Sequence, residues 1–142
     1  MDPAEVARRH DDGWNSKDME GRRALYSPDI ELEMPGGMSL RGIDQVNQVE
    51  NVFWEALPDS QIKRLDEHVA GETVIAEGVL SGTQTGPFRT PQGEISPSGN
   101  PVSLRFASVK RVVNGKIVSE HLYFDQMEFM TQLGAMPASP SS

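Results

Sequence analysis

The sequence predicts an α+β domain, with helices set apart from a mainly antiparallel sheet. Three observations carry that expectation. Apolar residues recur at helical spacing in the first part of the chain and again near its end. Between them, residues 61–124 alternate at period two. One strong hairpin signal, Asn114-Gly115, joins the last two long strands.

Residues 4–15 read as a helix. Val6, His10 and Trp14 form its apolar stripe, and Arg8, Arg9, Asp11 and Asp12 cover the rest. A second helix spans 19–26, with Leu25 and Tyr26 inward. Ser27-Pro28-Asp29 stops it, because the residue before proline avoids the α region. Ile30 to Met34 alternates as a half-buried strand, Pro35-Gly36-Gly37 ends it, and 38–42 is a short return strand. A long helix follows over 44–57, with Val46, Val49, Phe53 and Leu57 on one face and Pro58-Asp59 as its stop. Strands are then expected over 61–69, 73–83, 101–113 and 116–124. Residues 85–100, rich in glycine and proline, form a long loop or irregular hairpin end. Asp125 precedes Gln126-Met127-Glu128 with capping-box spacing, which starts a last helix over 126–133. One domain therefore spans 1–134, and 135–142 reads as a mobile Pro/Ser-rich tail. A curved sheet wrapped on the long helix makes a cone with one open mouth and a hydrophobic floor, a natural small-ligand pocket.

Composition narrows the function. The 142 residues are 37% hydrophobic and 24% charged, which suits one globular core. Without cysteine, disulfides, thiolate metal sites and cysteine nucleophiles are excluded. Three scattered histidines and no acid cluster at metal spacing argue against a metal site. Net charge is −8, and the basic pairs Arg8-Arg9, Arg22-Arg23, Lys63-Arg64 and Lys110-Arg111 stand isolated among acids. They read as solvated faces rather than a nucleic-acid footprint. No apolar run has the length of a membrane helix, and the acidic N-terminus is unlike a signal peptide, so a cytoplasmic protein is expected. No phosphate-loop or GxGxxG pattern points to nucleotides.

A set of short motifs adds a resemblance. It comprises Trp14-Asn15 with Asp18, Leu25-Tyr26, Pro35-Gly36-Gly37, Leu57-Pro58-Asp59, Gly82 to Phe88, Gly99 to Val102, Gly115 to Val118, Tyr123-Phe124-Asp125 and Gln132-Leu133-Gly134. In order and spacing this set resembles the SnoaL-like polyketide cyclase branch of the nuclear-transport-factor-2-like superfamily. It is also similar to ketosteroid isomerase. The resemblance implies a pocket inside the cone for an apolar or polycyclic substrate and cofactor-free acid–base chemistry. In that chemistry a carboxylate takes a proton beside a carbonyl while donors hold the enolate. It also makes losses visible. The position of the isomerase's base looks like Met34, that of its oxyanion-hole acid like Ser108, and that of its donor tyrosine like His10. Tyr26 and Trp54 look like its supporting aromatics. The cyclase's aspartate position looks like Leu122. Steroid isomerisation is therefore not expected.

The inward side chains of the last hairpin depend on its turn. A type I turn with a bulge sets Ser108 near Glu120 and Phe106 near Leu122, with Leu104, Phe106, Ser108, Glu120, Leu122 and Phe124 inward. A tight two-residue turn instead sets His121, Tyr123 and Asp125 beside Ser108, Phe106 and Leu104. The resemblance favours the bulged turn. His10 is then a pocket donor or base, or else a hydrogen-bonded core histidine. Glu120 is an inward acid–base group or a solvated strand residue. Ser108 is a donor or plain core, and Gln84 a mouth residue or loop amide. Asp125 is an N-cap or a recurrent branch residue. The apolar pocket set is Trp14, Tyr26, Met34, Phe53 or Trp54, Phe88, Phe106, Leu122 and Phe124.

His10 and Glu120 are the expected catalytic pair. The expected partners are a small apolar ligand and a second copy of the chain, packed sheet to sheet through Ile75, Val79, Ala107, Val109, His121 and Tyr123. The rival readings are a non-catalytic binding protein and epoxide hydrolysis, which needs paired inward acids that the sequence does not reveal.

Overall fold

The structure, a computed structural model, describes residues 1–135, so most of the expected tail lies outside the described residues. The elements are α1 (Pro3–Asn15), α2 (Met19–Ala24), β1 (Tyr26–Met34), β2 (Met38–Arg41), α3 (Ile43–Ala56), β3 (Gln61–Ala70), β4 (Thr73–Thr83), β5 (Phe88–Thr90), β6 (Gly93–Ile95), β7 (Pro101–Val113), β8 (Lys116–Phe124) and α4 (Gln126–Gln132). Six strands form one sheet in the order β2-β1-β8-β7-β4-β3. All neighbours are antiparallel except β1 and β8, which run parallel. The class is the expected α+β. Among the described residues no helix is long and apolar enough to cross a membrane.

Local chemistry fixes the ends. Asp2 caps α1 by accepting from the Glu5 N–H at 2.8 Å, and Pro3 takes the first turn, where its missing N–H costs nothing. Asp18 caps α2 through Gly21. That helix stops at Ala24, earlier than expected, and Tyr26 opens β1 rather than ending a helix. The segment after Gln84 holds a small hairpin of β5 and β6, paired from Phe88–Ile95 to Thr90–Gly93.

The β7–β8 hairpin resolves the two turn alternatives by combining them. Asn114 and Gly115 both have positive φ, as a two-residue type I′ turn requires, and Val113 pairs with Lys116. The register then slips within β8, between the Arg111–Ser119 and Val112–Ile117 pairs. Ser108 lies opposite Leu122 and Phe106 opposite Phe124, offset from the expected Ser108–Glu120 and Phe106–Leu122 pairing. An offset of two preserves the face. Phe106, Glu120, Leu122 and Phe124 therefore point into the cone, while Tyr123 is exposed.

Two apolar clusters close the cone. One joins Val6, Leu25, Tyr26, Ile30, Leu32, Val46, Val112 and Ile117. The other joins Ala56, Leu57, Val102, Leu104, Phe129 and Leu133. The site lies between them.

Candidate active site

A cavity of about 100 Å³ occupies the interior of the cone. One end is apolar, with Met34, Val49, Phe53, Phe106, Leu122 and Phe124. Phe106 can lie flat there only because Gly78 faces it. A Cβ on Gly78 would stand 2.7 Å from Phe106 Cζ. The other end is not the expected hydrophobic floor. It carries Asp11, Arg22, Glu50, Lys110 and Glu120 beside His10 and Tyr26.

These groups form two connected sets. In the first, Arg22 reaches from α2 across Gly13, whose missing side chain makes room for its stem. It donates to Glu50 Oε2 at 2.7 and 3.1 Å and to the His10 carbonyl, and lies 5.1 Å over the Trp14 ring. Tyr26 donates its hydroxyl proton to the same Glu50 oxygen at 2.8 Å. The Asn47 amide, oriented to satisfy both its ends, donates to Glu50 Oε1 at 2.7 Å. His10 Nε2 is 2.6 Å from the Tyr26 hydroxyl. Because Tyr26 gives its only proton to Glu50, Nε2 carries the hydrogen in this contact, and Nδ1 is a bare lone pair with no partner. Burial, then Arg22 and Lys110, hold the His10 pKa well below 6.5, so the imidazole is neutral. Burial likewise raises the Tyr26 pKa well above 10.

In the second set, Lys110 Nζ lies 3.6 Å from Asp11 Oδ1 and 3.7 Å from Glu120 Oε2. Arg64 flanks Asp11 at 3.8 Å. Ser108 Oγ donates to Glu120 Oε2 at 3.1 Å and fixes that carboxylate. The Lys110 contacts are ionic and longer than hydrogen bonds, which leaves its ammonium protons available to a ligand oxygen. The three acids Asp11, Glu50 and Glu120 balance the three bases Arg22, Arg64 and Lys110.

The structure brings together on this lining His10, Glu120, Trp14, Tyr26, Met34, Phe106, Leu122 and Phe124, with Ser108 bonded just behind Glu120. His10 and Glu120 do not pair; each has its own partners. Three expected pocket residues stand elsewhere. Trp54 stacks against Trp14, with centroids 4.6 Å apart, and leaves the lining position to Phe53. Gln84 is fully buried and is a loop clamp: its amide donates to the Gly86 and Ser96 carbonyls and accepts from Ser98. Phe88 packs on Phe53 and Phe129, outside the inner cavity but on the wall of the wider space beyond it. Asp125 caps α4, accepting from the Glu128 N–H at 3.0 Å.

Sequence reading missed Asp11, Arg22, Glu50 and Lys110. Their charge points Asp11, Arg22 and Lys110 to solvated faces, yet all three are buried. Glu50 follows Val46 by four residues and so shares its face, and Lys110 follows Ser108 at strand parity; those were the available signals. Among the described residues no three His, Cys, Asp or Glu side chains converge on a possible metal position.

A wider space of about 690 Å³ opens outside the inner cavity. Its walls are the β5–β6 hairpin, the Pro35-Gly36 turn, α3 and α4. Met34, Val49, Phe53 and Phe124 line both spaces.

Solved structures with this architecture are many. A protein from Jannaschia sp. CCS1, provisionally described as a SnoaL-like polyketide cyclase, superposes with a TM-score of 0.84 at 24% identity, over 95% of this chain and 93% of its own. AclR of Streptomyces galilaeus, provisionally a hydroxylase, gives 0.81 at 20% identity, over 97% and 88%. IdmH of Streptomyces antibioticus, provisionally a polyketide cyclase, gives 0.79 at 24% identity, over 94% and 99%. At such identities the likeness shows the fold, the cone also called nuclear-transport-factor-2-like or ketosteroid-isomerase-like. No curated protein matches the sequence. The profile of the SnoaL-like polyketide cyclases matches residues 4–133, nearly the whole cone, and the chain belongs to that family.

Proposed function

We propose that the protein is a cofactor-independent, cyclase-type enzyme for an apolar carbonyl compound, with Glu120 as general base and Lys110 holding the oxyanion. One observation carries this reading: the Asp11–Lys110–Glu120 ion group at the polar end of a chamber whose other end is apolar. A proton beside a carbonyl is only weakly acidic, so the charge that develops on oxygen must be met as it forms. The Lys110 ammonium does this in a dry setting, where an ionic contact is far stronger than in water. Glu120 takes the proton, the enolate carbon attacks a second carbonyl of the same substrate, and the new alkoxide recovers a proton from the Glu120 acid. His10, neutral and bonded to Tyr26, positions the wall rather than donating as an imidazolium.

Deuterium exchange tests this without the natural substrate. In D₂O, the protein should speed exchange of the acetyl protons of 2-acetylnaphthalene. Glu120→Gln should lower that rate by about 10²–10⁴-fold with little change in binding. Exchange that survives the substitution refutes the role of Glu120. Binding without any exchange favours a ligand-carrying protein.

A second reading has its own support. Asp11 and Glu120 are the paired inward acids that epoxide hydration needs and that the sequence did not reveal. Glu120 would draw a proton from water while Lys110 gives one to the departing epoxide oxygen. Conversion of styrene oxide in ¹⁸O-water to a singly labelled diol would favour it over enolate chemistry.

A further inference from the structure

We propose that the cone holds its ligand in two compartments, with Met34 as the movable part of the wall between them. The ligand shape follows: an apolar body too wide for the inner chamber, which stays in the outer space, and a narrow carbonyl arm that enters the inner one. The direction of the arm rests on the acid–base reading above. The division itself rests on size and on shared walls.

Size decides first. An apolar cavity of ~150 Å³ holds a single benzene ring. The inner chamber, at about 100 Å³, therefore takes an acetyl-sized fragment and excludes a fused ring. The outer space, at about 690 Å³, falls within the roughly 300–1,000 Å³ of ordinary ligand pockets. The charged groups Lys110 and Glu120 line only the inner chamber. A ligand long enough to use both must pass the four side chains common to the two linings.

Three of those four are held. Phe53 packs against Phe88 and Phe129, with centroids 5.4 and 5.7 Å apart, and Phe124 meets Phe129 at 6.0 Å. Val49 is β-branched on a helix, which leaves essentially one rotamer. Met34 differs. It ends β1 beside the Pro35-Gly36-Gly37 turn, where both glycines have positive φ. Its unbranched side chain has three rotatable bonds and adapts its shape at small cost. It is the element of the partition that yields.

Nuclear magnetic resonance provides separate reporters. The Trp14 indole N–H, bonded to Ser60 Oγ at 3.0 Å, reports on the inner chamber, and the Met130 methyl reports on the outer space. In the wild type, naphthalene should shift Met130 alone, whereas 2-acetylnaphthalene should shift both with one affinity. Met34→Phe should leave the Met130 response intact and reduce the Trp14 response at least tenfold. Met34→Ala should let naphthalene reach Trp14, which keeps the inference testable if the larger side chain prevents folding. The inference is overturned if naphthalene moves Trp14 in the wild type, if Met34→Phe leaves the Trp14 response unchanged, or if neither probe moves either reporter. Deuterium exchange separates the two proposals. Responses at both reporters without exchange refute the acid–base reading and keep the compartments; exchange indifferent to Met34 does the reverse.

Discussion

Replacing Arg22 by Met tests the buried charge network directly. The Met side chain retains much of the apolar stem that crosses Gly13 but carries no charge. The Arg22–Glu50 pair has side-chain exposures of only 5% and 7%, so solvent screens it little. Without the guanidinium, Glu50 keeps the Tyr26 and Asn47 donors but loses its nearest counter-charge. The His10 carbonyl loses a donor as well. Removing one member of a buried ion pair costs about 3–5 kcal/mol, because the other charge stays buried and uncompensated. For a chain of this size that corresponds to a fall in Tm of roughly 10–15 °C. Urea unfolding followed by circular dichroism measures it, with an unchanged m-value as the sign that the denatured state is unaffected. The double variant Arg22→Met/Glu50→Gln removes both charges and should recover at least ~2 kcal/mol relative to the sum of the single losses. A loss below ~1 kcal/mol for Arg22→Met, or strict additivity in the double variant, would refute the argument that the two charges depend on each other.

The remaining predictions concern other parts of the cone. Because the native His10 pKa lies below its unfolded value, the unfolded state binds the extra proton, and stability present at neutral pH is lost as pH falls through ~6.5. Between pH 7.5 and 5.5 the wild type should lose more stability than His10→Gln, by on the order of 1 kcal/mol, and equal losses in chemical unfolding would sink the assignment. Asp125→Ala should cost about 1 kcal/mol and Asp125→Asn much less, since asparagine also caps; equal losses for both would deny the capping role. Gly78→Ala should push Phe106 into the inner chamber and cost about 1–3 kcal/mol in thermal unfolding; a neutral effect would mean that the contact relaxes freely. The outer sheet face leaves Ile75 and Tyr123 exposed beside half-buried Val79, Ala107 and Val109, which predicts a two-fold dimer burying at least roughly 1,200 Å². Light scattering should show it dissociating in Ile75→Glu, and a wild-type particle of 15.6 kDa at micromolar concentration would contradict it.

Legibility of the fold followed the strength of the local signals. β4, β7 and β8 were readable to the residue because alternation runs the length of β4 and β7 and Asn114-Gly115 fixes where β7 ends and β8 begins. The end of α2 was misplaced because Leu25 and Tyr26 are apolar at helical spacing as well as at the start of a strand. Pairing with β8, a long-range contact, decides it: the Ile117 N–H bonds to the Leu25 carbonyl. The register of the last hairpin escaped for a related reason. A turn dipeptide specifies the loop, but the slip lies beyond it in β8, where nothing in Lys116-Ile117-Val118-Ser119 marks an extra residue.

Apart from Glu120, the site was legible only where its residues are apolar or uncharged. Trp14, Tyr26, Phe106, Leu122 and Phe124 were found because apolar periodicity points at a core, and a cavity inside a cone is lined by the same face. Charged residues invert that logic: charge assigns Asp11, Arg22 and Lys110 to solvent, even though strand parity turns Lys110 inward, since burying any one alone is prohibitive. What the periodicity cannot show is compensation. Asp11 comes from α1, Arg22 from α2, Glu50 from α3, Arg64 from β3, Lys110 from β7 and Glu120 from β8, and none is paired locally in sequence. Each becomes affordable only when the fold delivers its partner from another element. The same dependence gives the chamber its chemistry. A charge that packing alone would expel is retained because an opposite charge holds it, and in the proposed reaction Lys110, shared between two carboxylates at more than hydrogen-bonding distance, is the group with protons to offer an incoming oxygen.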